Sequence, residues 1–72
     1  MFIYEDTPES SDVARIGYDV GWQILSVEFF KGGEYWYFGV PADVALSFSQ
    51  APSKGRFLAH QIKGHYRYEK AS

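Results

Sequence analysis

Four consecutive aromatic residues, Tyr35-Trp36-Tyr37-Phe38, follow a Gly32-Gly33 turn and run into Gly39-Val40-Pro41, and no other stretch narrows the possible folds as much. In a strand, successive side chains point to opposite faces, so Tyr35 and Tyr37 share one face and Trp36 and Phe38 the other. Both faces are therefore aromatic. One pair fills a small core, but the second needs cover from a helix, a partner subunit or a ligand, because large apolar patches are seldom left in water.

The neighbouring segments complete a small sheet. From Val13 to Val20 the pattern alternates, with Ala14, Ile16, Tyr18 and Val20 on one face and Arg15, Gly17 and Asp19 on the other. Gly21 supplies a turn, after which Leu25, Val27 and Phe29 share a face opposite Trp22, Ile24, Ser26, Glu28 and Phe30. Together with the aromatic strand these segments predict a three-stranded antiparallel meander. Pro41 and Asp43 suit the start of a short helix carrying Val44 and Phe48 on one face. Ala51-Pro52-Ser53 ends it. Ser53 is placed to cap a second helix that buries Phe57, Leu58 and Ile62 and stops at Gly64. Tyr66 to Lys70 alternates again and reads as a final strand. The expected class is α+β, one domain over residues 13–70. Residues 1–12 form an N-terminal arm whose apolar tip, Phe2-Ile3-Tyr4, either returns to add a strand or grips a second molecule.

A chain of 72 residues buries only about 60% of the surface that it exposes when unfolded. Domains this small are commonly reinforced by disulfides, a metal or association, and the lack of cysteine removes the first and most of the second. A homodimer is the expected assembly, with Trp22, Ile24 and Phe30 on one side of the sheet and Phe2 and Tyr4 on the arm as contacts. Against this, each ring taken singly is accounted for by the core of the monomer. No apolar run approaches the roughly 20 residues that cross a bilayer, and the first residues do not read as a signal peptide, so a cytoplasmic protein is expected, with no membrane partner.

The same order of residues resembles the KTSC domain family, a small bacterial domain that also occurs at the C-terminus of some lysyl-tRNA synthetases. The resemblance covers roughly Ser11 to Lys70. It is carried by Ile16-Gly17-Tyr18-Asp19, Leu25, Val27 and Phe29, Tyr35-Trp36-Tyr37, Gly39-Val40-Pro41, Ala51 with Ser53 and Gly55, and Ile62 with Tyr66 and Tyr68. The chain departs from the family pattern at Pro52 and at His60, where the family favours asparagine. The resemblance implies a strongly bent antiparallel sheet, an Sm-like or SH3-like partial barrel with one or two short helices before the last strand. It implies no established activity, RNA binding being the usual suggestion.

The chemistry-bearing residues agree with a non-enzyme. His60 and His65, five apart, project about 140° from each other on a helix and do not converge on one ion. Ser47, Ser49, Ser53 and Asp43 sit in no nucleophile elbow, and Lys31-Gly32-Gly33 lacks the ending of a phosphate loop. No cofactor is expected. The net charge of −2 is unevenly spread: residues 1–53 carry Arg15 and Lys31 against eight acidic groups, or −6, whereas residues 54–72 carry five basic groups against Glu69, or +4. Such halves either attract each other in the fold or present a basic face to phosphate. On the second reading the chain is a module for single-stranded RNA, with Tyr35 and Tyr37 stacking bases and Lys54, Arg56, Lys63 and Arg67 taking phosphates. The alternative is a homodimeric interaction or scaffold module without a nucleic-acid role.

Overall fold

Five strands follow one another antiparallel across a single sheet in a computed structural model that describes residues 1–72. They are β1 (Ile3–Asp6), β2 (Val13–Asp19), β3 (Ile24–Phe29), β4 (Glu34–Phe38) and β5 (Tyr68–Lys70), in the order β1-β2-β3-β4-β5. Two helical segments, α1 (Ala42–Gln50) and α2 (Lys54–Phe57), lie between β4 and β5, and α2 runs directly into a π-helical stretch, Leu58–Ile62. The α+β class is as expected. The strand count is not: the sheet has five strands rather than a three-stranded meander plus one, and it is open, with β1 and β5 as its edges.

The extra strand comes from the arm, whose apolar tip returns to its own sheet. Ile3 pairs with Tyr18, Tyr4 with Gly17 and Asp6 with Arg15. The polar stretch behind it is ordered by hydrogen bonds: Thr7 Oγ1 donates to the Val13 carbonyl at 2.6 Å, and Ser10 Oγ accepts from the Val13 amide at 3.0 Å.

Alternation in β2 breaks at a bulge between Val13 and Arg15, which turns Val13 rather than Ala14 into the core. Val20 and Trp22 then fall in the β2–β3 turn instead of in strands, and both are exposed. Asp19 fixes that turn by accepting from the Gly21 and Trp22 amides at 3.0 and 3.1 Å. The left-handed position is taken by Gln23 (φ 54°), not by Gly21. Between β3 and β4 the glycines do as read, with φ of 104° and 92° at Gly32 and Gly33.

Helices and sheet meet in one core. Ile16, Leu25, Val27 and Tyr37 come from the strands, and Ala45, Phe48, Leu58 and Ile62 from the helical segments. Each fully buried aliphatic or phenylalanine side chain contributes roughly 1.5–3 kcal/mol. Ser53 caps α2 by accepting from the Arg56 amide. The π-helical stretch closes where the Lys63 amide donates to the Leu58 carbonyl at 2.8 Å, and Gly64 (φ 81°) stops it as expected.

Candidate functional site

Because the helices cover one face of the sheet only partly, a cleft of about 700 Å³ remains between the β3–β4 turn, β5 and the end of the π-helical stretch. The odd-numbered residues of β4 form its wall. Tyr37 is 3% exposed and Tyr35 is half-buried. Tyr68, opposite Tyr37 in β5, stacks on it with ring centroids 5.6 Å apart and planes 25° apart, and it remains 59% exposed. Phe29 meets Tyr35 edge to face at 5.8 Å. Lys31 and Lys63 stand at the rim, neither paired with a carboxylate. Lys70, opposite Tyr35, shares the cleft face of the sheet.

Tyr37 makes no hydrogen bond within the protein, yet no sealed side-chain polar atom lacks a partner, so its hydroxyl reaches solvent at the cleft. Burial, and then the neighbouring Tyr68 and Tyr35, push its phenol above the ordinary value of 10.0. It is a neutral hydrogen-bond donor at physiological pH. The cleft therefore offers an exposed ring, a fixed donor, two free ammonium groups and one free carboxylate, Asp12.

The nucleic-acid residues expected from the sequence divide three ways. Tyr35 and Lys63 line the cleft, and Arg56 lines a hollow next to it. Tyr37 is too deeply buried to stack a base. Lys54 is only 6% exposed and its ammonium donates to the Ala51 carbonyl at 2.7 Å, which removes it as a phosphate contact. Arg67 belongs to the opposite face of the sheet, where its guanidinium lies 4.6 Å over the Phe38 ring and 3.6 Å from Glu69. Sequence reasoning missed Tyr68 and Lys31 as site residues. Tyr66-x-Tyr68 repeats the Tyr-x-Tyr of β4, a signal that was legible; Lys31 carried none.

That opposite face is covered by the chain itself. Tyr4, Gly17, Ser26 and Trp36 form one row across β1 to β4, two large rings flanking two small residues. A Cβ at Gly17 would lie 2.6 Å from Tyr4 Cδ1, so only glycine leaves room for that ring. Phe2 fills the middle of the row, 5.8 Å from Tyr4 and 5.1 Å from Trp36. Arg15 lies over Tyr4 at 4.7 Å and reaches toward Asp6 and Glu28. Glu34 accepts from Ser26 Oγ at 2.7 Å and Trp36 Nε1 at 3.0 Å; these two bonds, with a smaller pull from Arg15, hold its carboxyl below the ordinary value of 4.5.

Of the expected interface residues, Phe2 and Tyr4 are thus engaged within the monomer. Ile24, half-buried, sits opposite Phe38 in the neighbouring strand. Trp22, 79% exposed, and Phe30 lie beyond opposite ends of β3, a strand of about 20 Å, and do not make one patch with Ile24.

Ser49 Oγ donates to the Leu46 carbonyl, and His65 Nε2 contacts the His60 carbonyl at 3.1 Å. No three His, Asp or Glu side chains converge as a metal site, and no helix is long and apolar enough to cross a membrane.

Comparison with known proteins gives a consistent result. The model of the KTSC domain matches residues 9–66. Lysine–tRNA ligases from Trichormus variabilis and Nostoc punctiforme are 40% and 38% identical over 65 residues, 90% of this chain but only 12% of those proteins. An uncharacterized protein from Stutzerimonas stutzeri is 43% identical over 83% of this chain and 86% of its own length. The crystal structure of a KTSC domain protein from Yersinia pestis superposes with a TM-score of 0.94 at 35% identity, covering 100% of both chains. That superposition includes β1, which the family match leaves out.

Proposed function

We propose, since this chain belongs to the KTSC domain family, that it is a non-catalytic binding module whose tyrosine cleft takes short single-stranded RNA. The observation that carries this reading is the Tyr68 ring, mostly exposed and held in place by stacking on Tyr37, beside the unpaired Lys31 and Lys63. An aromatic face presented with free cations is the common means of holding an unpaired base and its phosphate, and stacking contributes roughly 1–3 kcal/mol per base. The charge layout supports it. Glu28 and Glu34 sit on the far face of the sheet, and Lys31 and Lys63 outnumber Asp12, the one carboxylate that lines the cleft, so a chain of net charge −2 still keeps a positive balance there. The relatives named as lysine–tRNA ligases add that a homologous segment occurs beside an enzyme that handles RNA.

Titration of a labelled oligouridylate at rising salt tests the reading. Two or three phosphate contacts give a log–log salt slope of about −2. Tyr68→Ala is expected to weaken binding about tenfold. Affinity unchanged by Tyr68→Ala and by Lys63→Ala contradicts the reading.

A second reading, self-association, has one observation in its favour. Ile3, Val20 and Leu46 are exposed around an apolar groove of about 270 Å³ between β1 and α1, beside the unpaired edge of β1.

A further inference from the structure

We infer that the end of the tyrosine cleft next to β2 is a second base subsite and that Asp12 makes it selective for guanine. This rests on the RNA-binding reading and adds to it which base the cleft prefers.

The cleft is wider than one base. Its lining takes Val13 from β2, Phe29 from β3, Tyr35 and Tyr37 from β4 and Tyr68 from β5, so it crosses three strand spacings, about 14 Å. Tyr68 serves the β5 end. At the other end Phe29 and Tyr35, edge to face and both half-buried, leave aromatic surface open for a neighbouring base. Asp12, the residue before β2, stands at that end and is held by its backbone. Its carbonyl accepts from the Phe30 amide at 2.9 Å, which fixes it beside the turn that carries Lys31. The carboxylate lies against Gly55, with Oδ2 3.5 Å from where a Cβ on that residue would stand, and it forms no ion pair or hydrogen bond. Nothing in the fold uses it.

An ionised carboxylate repels phosphate and can only accept hydrogen bonds, so the partner that suits it in such a cleft is the donor edge of a base. Guanine presents two adjacent donors on one edge, N1–H and the N2 amine, which match the two carboxylate oxygens. In adenine, cytosine and uracil an acceptor stands next to the donor on the pairing edge and would face a carboxylate oxygen. The guanine therefore turns its pairing edge to Asp12, and the phosphate beside it turns to the unpaired Lys31.

Fluorescence anisotropy on the whole chain tests this, with a labelled uridine pentamer and the same pentamer carrying guanine or hypoxanthine at its centre. Hypoxanthine keeps N1–H and lacks only the amine, so stacking is closely matched. The guanine form is expected to bind about tenfold tighter than the hypoxanthine form. Asp12→Ala should bring that ratio close to one without weakening the uridine pentamer, which shows that the fold is intact. Guanine and hypoxanthine forms of equal affinity overturn the subsite, as does a ratio that survives Asp12→Ala. If no pentamer binds, the cleft reading falls and the subsite falls with it.

Discussion

The Phe2 ring, just ahead of β1, lies 5.1 Å from that of Trp36 in β4, although β2 and β3 run between those two strands. The contact is possible because Gly17 and Ser26, side by side in the intervening strands, leave a lane that a ring can cross. The second aromatic face of the sheet is thereby partly covered from within the chain.

Phe2→Ala should accordingly uncover Trp36. In a Trp22→Phe background, which removes emission from the exposed indole, the Trp36 fluorescence is expected to shift to the red. Urea denaturation should register a loss of about 1 kcal/mol, in keeping with a half-buried ring and its aromatic contacts.

Gly17→Ala tests the same lane from the backbone side. The new Cβ displaces the Tyr4 ring. The expected loss is about 1 kcal/mol, within the usual range for single substitutions. Amide exchange should quicken at Ile3 to Asp6 first, since the four residues of β1 are all exposed and have little else to hold them.

Glu34 gives a pH dependence. Its folded value is depressed by the bonds from Ser26 and Trp36, so the stability it contributes is present above the unfolded value, near 4.5, and is lost as pH falls through the lower folded value. Asp19 shifts in the same direction, held low first by the Met1 ammonium and then by the Trp22 amide. Glu34→Gln should therefore flatten, without abolishing, the fall in thermal stability between about pH 5 and pH 2.

Much of this architecture was legible in the chain, and what was hidden has identifiable causes. Strands β2 to β4 and both helices follow from alternation, glycine turns and the Pro41, Ser53 and Gly64 signals, all of them local. The bulge beside Ala14 was not legible, because Val13 and Ala14 are both apolar and either suits the core. β1 is not legible, because a strand exposed along its whole length shows no periodicity. Lys54 misled because lysine is seldom buried, and only the position of the Ala51 carbonyl reveals where its ammonium goes. The cleft itself depends on β5 meeting β4, a contact between distant segments that only Tyr68 foreshadowed.

Self-association is checked by sedimentation. If the groove between β1 and α1 is an interface, the protein sediments as a dimer at micromolar concentration and Leu46→Asp returns it to a monomer. A monomer at that concentration rejects this assembly and leaves the cleft unaffected.

Mapping oligouridylate onto the amide NMR spectrum of the labelled protein tests the central claim most directly. Shifts are expected at Lys31, Tyr35, Lys63, Gly64 and Tyr68, with the far face at Phe2, Trp36 and Phe38 unmoved. Shifts confined to that far face, or none at millimolar oligonucleotide and low salt, contradict it.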